Sequence, residues 1–188
     1  MADIVTTTDR LILRQWGEGD EARFFAIMNT TPVMRFLGGV QSPEKWHAAY
    51  QRILGFQRDF GHTFWIAERR PDGGHLAGEM IGFCGLKRVN NETSTLLGQH
   101  EVGWRLREAA WGHGYALEAA TASLDLAFGR FAAAHVVALT VDGNVDSRKL
   151  IDKLGMTRRP DLDFDDPRYG PQLNPTIVYR IDASEWRA

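Results

Sequence analysis

At "WGHGYA", residues 111–116, the hydrophobic period of this chain changes from two residues to 3.6. Upstream, "HTFWIAERR" (62–70), "EMIGFCGLKR" (79–88) and "TLLGQHEVGWRL" (95–106) read as strands. "PDGG" and "NNETS" separate them with turn chemistry, which predicts an antiparallel meander. Downstream, residues 115–129 read as a helix with Ala116, Ala119, Ala120, Ser123 and Leu124 on one face. A helix starting at Tyr115 leaves the backbone N–H groups of its first turn unpaired and open to an anion. Glycine, lacking Cβ, allows positive φ and close approach of a ligand at that point.

The remaining elements frame this turn. "RLILRQW" (10–16) reads as a first strand, and Asp20 is expected to cap a helix through "EARFFAIMN", with Phe24, Ile27 and Met28 on one face. "SPEKWHAAYQRILGFQRDFG" predicts a second helix: Ser42 caps it, Pro43 opens it, Trp46, Ala49, Tyr50, Ile53 and Leu54 form the buried stripe, and Gly61 ends it. After residue 130 come a buried strand "HVVALTV", a short helix "VDSRKLIDKLG" closed by Gly155, and a last strand "TIVYRI". Residues 158–175, with four prolines and many aspartates, read as one long surface loop. The order β-α-α-β-β-β-α-β-α-β is that of an α/β domain, and no repeat or linker divides residues 1–188, which read as a single domain.

Composition excludes several classes. A net charge of −2 gives no reason to expect nucleic acid as a partner. No apolar run of about 18 residues and no basic, apolar leader is present, so a cytoplasmic protein without a membrane partner is expected. The lone cysteine, Cys84 in "MIGFCGL", reads as a buried small hydrophobe. The six histidines never occur at H-x-x-x-H spacing, so no metal site is expected. "DLDFDDPRYGPQ" (161–172) has a calcium loop's first three aspartates, but Asp166 replaces the required glycine and Gln172 the closing glutamate. That segment reads as a solvated acidic loop, or as a recruiter of a cationic amine.

A dinucleotide fingerprint G-x-G-x-x-G/A on Gly112 and Gly114 needs a small residue at position 117, which is Leu117, and an opening βαβ unit where this chain has a meander. A phosphate loop G-x-x-x-x-G-K-[ST] is absent. "HEVGWRLREAAWGHGYALEA" (100–119), followed about thirty residues later by "NVDSRKLIDKLGM" (144–156), resembles the GCN5-related N-acetyltransferase (GNAT) superfamily. Within it, the likeness is to the branch typified by ribosomal-protein N-terminal acetyltransferases. "DRLILRQW", "IGFCGL" and "VYRIDASEW" match in order, so the likeness covers nearly the whole chain.

The resemblance implies a mixed, mostly antiparallel sheet with a splayed middle pair and flanking helices. It implies acetyl-CoA as co-substrate, an amine acceptor (a protein N-terminus or a small amine), and a monomer or homodimer. The family's pyrophosphate loop, Q/R-x-x-G-x-G/A, falls on Trp111, Gly112, His113, Gly114, Tyr115 and Ala116; Trp111 departs from the pattern, although this branch commonly has an aromatic there. Backbone groups from Trp104 to Leu106 are implied to pair with the pantetheine arm. Arg105 and Arg107 are cations positioned just before the loop, where they meet phosphate or remain solvated.

Acyl transfer needs a neutral amine, a polarised thioester and a proton for the leaving thiolate. The resemblance points to Glu101, in "QHEVGW", as acceptor of the amine proton or as an ordering group in the cleft. It assigns Asn144 to the CoA arm and places Ser147 near the sulfur, although Asn and Ser at a helix start are also ordinary caps. His113 is expected to contribute its backbone while its ring faces solvent. His62 and His100 are candidates for substrate binding, as are Phe36, Trp65 and Phe83, all against the alternative of plain structural roles. The competing function is a non-catalytic acyl-CoA-binding module or sensor.

Overall fold

The computed structural model describes residues 2–186. Its sheet begins with β1 (Ile4–Thr7) and β2 (Leu11–Arg14), continues through β3 (Phe64–Arg69), β4 (Met80–Arg88) and β5 (His100–Leu106), and closes with β6 (His135–Val141), β7 (Thr157–Arg158) and β8 (Thr176–Asp182). Helices α1 (Asp20–Met28), α2 (Thr31–Met34) and α3 (Pro43–Phe60) fall between β2 and β3; α4 (Tyr115–Phe128) follows β5, and α5 (Val145–Lys153) follows β6. The spatial order is β1-β2-β3-β4-β5-β6-β8-β7.

The expected meander is present: β3–β4 and β4–β5 are antiparallel, the latter in continuous register from Gly82↔Leu106 to Arg88↔His100. β6 and β8 are likewise continuous from His135↔Asp182 to Val141↔Thr176. Between these halves β5 and β6 run parallel and meet at a single pair, Glu101↔Val137. Beyond it the strands part, which is the splay that the resemblance implied.

Both faces of the sheet are covered. Leu11, Leu13, Trp65, Cys84, Leu86 and Val102 pack with Ala119, Ala120 and Leu124 of α4 on one side. On the other, Ile66, Met80 and Phe83 pack with Trp16, Phe24 and Met28, and with Trp46 and Tyr50 of α3. Phe24 stacks on Trp46 and on Phe83 at 5.0 and 5.3 Å between centroids. The α3 signals act as read: the Ser42 hydroxyl accepts from the Lys45 N–H, and Gly61 ends the helix at φ 69°. No helix among the described residues is long and apolar enough to cross a membrane.

Several elements differ from the sequence expectation. β1, four β-branched residues that show no alternation of buried and exposed positions, adds a strand before the expected first one, and residues 95–99 form turns before β5. Gly19, at φ 82°, holds the α1 cap position, and Asp20 is instead buried against Arg14 at 2.6 Å. Arg14 also binds Glu68 at 2.7 Å, and enclosing that guanidinium is the stronger demand on Asp20. Residues 158–175 are not a plain surface loop: they contain β7 and two 3-10 turns, and Leu162 and Phe164 pack on Val137 and Val178.

Gly82 marks a close approach of β4 to β5. It adopts φ 143°, and a Cβ there would lie 2.1 Å from the Arg105 carbonyl oxygen. Gly82→Ala is therefore expected to destabilise the fold by about 3 kcal/mol, read as a lower urea midpoint.

Candidate active site

A cleft of about 800 Å³ opens where β5 leaves β6, and Trp104, Leu106, Trp111, Gly112, Gly114, Tyr115, Ala116, Asn144 and Ser147 line it together with β6. At its rim, Gly112 and Gly114 adopt φ 78° and 80°, and no side chain among the described residues caps α4. None of the N–H groups from Gly112 to Leu117 finds an acceptor among the described residues. A row of free amides at a helix start, with the helix dipole behind it, fits a diphosphate.

The loop is held from behind. Arg10 donates to the His113 carbonyl at 3.0 Å and pairs with Glu118 at 2.7 Å, while Thr8 donates to the same carboxylate at 2.6 Å. Burial raises the proton affinity of Glu118, but these bonds outweigh it and hold the group below the usual carboxylate range. Arg10 and Arg69 also lie over the Tyr115 ring, at 4.7 and 5.0 Å from its centroid. The His113 ring is exposed but stacks on His75 at 3.9 Å. Trp111, where the superfamily has Gln or Arg, donates its indole N–H to the Leu106 carbonyl at 2.8 Å and so ties the loop to the end of β5. Arg107 lies outside the cleft lining and binds Glu79 at 2.7 Å.

Across the cleft, Asn144 accepts from the Ser147 N–H at 3.3 Å, the cap expected of an asparagine at a helix start. Glu101 is buried, lines the cleft and forms an ion pair with Lys87. Phe36, Phe64 and Phe83 also line the cleft, and the Phe36 ring lies against Gly143, where an added Cβ would sit 3.5 Å away. Arg105 also belongs there: its guanidinium is 5.1 Å from the Phe83 centroid and 3.7 Å from Met34 Sδ. Asp166 of the acidic segment is buried and bound by Arg168 at 2.6 Å, so this aspartate is not solvated. Sequence reasoning missed Lys87, Phe64 and Arg168; the signal for Lys87 was its register opposite Glu101.

Three of the substrate-binding candidates lie elsewhere. Trp65 is fully buried toward α4, near Phe131, because period two puts it on the face opposite Phe64. His62 donates from Nδ1 to the Leu86 carbonyl at 3.0 Å, and its ring is 5.2 Å from that of His100; neither lines the cleft. Burial, with Arg88, His62 and His135 nearby, draws His100 down to about 4. The unfolded chain then binds the extra proton between about pH 6.5 and 4, so stability is full above that window and falls with pH through it. His100→Phe is expected to recover about 1–2 kcal/mol of the stability lost between pH 7 and pH 5, read from urea midpoints at both values.

Burial also pushes the Cys84 thiol up to about 12, and its sulfur faces Ser123 Oγ at 3.8 Å on the α4 side. Among the described residues, no group of three or more His, Cys, Asp or Glu side chains could hold a metal ion.

A parallel strand pair that meets at one register position thus lies beside a glycine-entered helix start that no side chain among the described residues caps. The acetyltransferase (GNAT) domain family matches residues 10–157, and the chain belongs to it. It is an N-acetyltransferase of a family whose donor is acetyl-CoA. The YkkB protein of Bacillus subtilis (strain 168) is 32% identical over 150 residues, covering 79% of this chain and 83% of that protein. The structure of an acetyltransferase from Agrobacterium tumefaciens str. C58 superposes with a TM-score of 0.74 at 27% identity, covering 94% of this chain and 92% of that one. RimL, a ribosomal L7/L12 α-N-protein acetyltransferase, shares the fold with a TM-score of 0.75 at 14% identity, over 97% of this chain and 95% of its own.

Proposed function

We propose that this chain acetylates a primary amine by direct attack on the thioester of acetyl-CoA within a ternary complex. The free amides from Gly112 to Leu117, beside the opening between β5 and β6, carry this reading. They would hold the pyrophosphate, each charge-assisted bond contributing roughly 1.5–3 kcal/mol. The backbone of Trp104 to Leu106, which lines the cleft, would receive the pantetheine arm, with Asn144 also lining it. Direct attack is favoured over an acyl-enzyme because the one cysteine is buried on the α4 side, away from the cleft.

Glu101 accepts the amine proton, directly or through water, and Lys87 holds the carboxylate in place. Ser147 lines the cleft, and its hydroxyl would pass a proton to the departing thiolate. An α-amine with pKa near 8 asks little of such a base, whereas a lysine-type amine near 10.4 costs about 4.6 kcal/mol to neutralise at pH 7. Incubation of the protein and acetyl-CoA with N-terminal peptides and small amines, read as free CoA, tests the proposal. Amine-dependent release is expected; tight CoA binding with no turnover on any amine would favour the sensor reading.

A further inference from the structure

Glu101, Gly103 and Arg105 alternate along β5, so their side-chain positions share one face, opposite Lys87, Gly85 and Phe83 of β4. That face carries cations with different fates. Lys87 is paired with Glu101, and Arg168 with Asp166. Arg105 has no carboxylate within ion-pair distance among the described residues, and its buried Nε has no hydrogen-bond partner. Burial draws this group down to about 10, so it is still charged at neutral pH. A half-buried guanidinium set against Phe83 and Met34, with no carboxylate partner among the described residues, has lost part of its hydration without a counter-ion to replace it, and an arriving anion relieves that.

The donor's pyrophosphate does not meet this need. Phe83 and Met34 belong to the core under α1 and α3, whereas Tyr115 and Ala119, at the start of α4, belong to the core on the opposite face. The guanidinium therefore faces the acceptor half of the cleft, whose floor is apolar: the Phe64 and Phe83 rings stack at 5.0 Å.

We infer that Arg105 is the counter-ion for a carboxylate on the acceptor, so that the substrate is a primary amine bearing both a carboxylate and an apolar side chain. A free apolar amino acid or a short peptide with a free C-terminus has this chemistry, and the planar guanidinium fits a carboxylate bidentately. A polyamine brings a second cation toward Arg105 and is disfavoured. The inference rests on the reading of this cleft as an amine-acetylating site.

The test compares L-phenylalanylglycine with its C-terminal amide, which differ in the carboxylate while the amine keeps its surroundings. The wild-type protein is expected to show a kcat/KM at least tenfold higher for the acid. Arg105→Met reduces that ratio to near one with CoA affinity unchanged, and Arg105→Lys keeps part of it. An equal ratio in wild type and Arg105→Met overturns the inference, as does a loss of CoA affinity in Arg105→Met, which would assign the cation to the donor. Calorimetry of N-acetyl-L-phenylalanine on the CoA-loaded protein reads the anion site without turnover. Binding that Arg105→Met abolishes supports the inference even if no amine is acetylated, in which case the proposed activity alone has failed. Turnover of the amide with no preference for the acid and no binding of this carboxylate upholds the activity and overturns the inference.

Discussion

Gly114→Val is expected to weaken CoA binding about 100-fold, measured by calorimetry with CoA alone. Gly114 holds φ 80° at the entry to α4, a region that costs an L-residue about 1–2 kcal/mol and a β-branched one more. Escaping that strain rotates the amides that follow it, and losing one charge-assisted bond of roughly 1.5–3 kcal/mol brings the total to about two decades. Gly112→Ala is the control. Gly112 has a similar φ of 78°, but a Cβ there meets nothing within 4 Å, so a loss of about tenfold or less is expected. Unchanged CoA affinity in Gly114→Val would remove the loop from donor binding.

The second large effect concerns Glu101. Removing a positioned proton acceptor costs about two decades in rate or more, so Glu101→Gln should lower kcat/KM by at least about 100-fold and flatten the acidic limb of its pH profile. The substitution also strips Lys87 of its carboxylate, which strains the face locally without altering the glycine loop. CoA affinity should therefore stay within a few-fold of wild type. A profile that keeps its shape at reduced rate would mean that Glu101 orders Lys87 and the cleft without moving a proton.

The part of the site legible in the sequence is the part built by neighbours in the chain. Gly112, Gly114 and the apolar face of α4 act within one turn, so local sterics and period dictate them; the same is true of Ser42, Pro43 and Gly61 around α3. The part of the cleft lined by Phe64, Phe83 and Arg105 was less legible. β3 and β4 are apolar on both faces because helices cover both, so alternation alone could not tell which of Phe64 and Trp65 faces the cleft. Arg105 and Arg107 looked equivalent as cations before the loop. Arg107 is bound to Glu79, whereas the other guanidinium is enclosed by Phe83 and Met34. His62 and His100 carried no local sign that Phe131, distant in sequence, would pack against His62 and help shut the pair away from the cleft.

The sequence by itself determined that a strand would pass through two glycines into a helix whose first amides lack partners, because φ, Cβ sterics and helix hydrogen bonding are properties of adjacent residues. Only the tertiary structure decided that β5 would leave β6 after Glu101, that Lys87 would meet that carboxylate, and that Arg105 would stand without a counter-ion among the described residues. Those outcomes depend on strand register and on which helix covers which face, and both are set by packing between segments far apart in the chain.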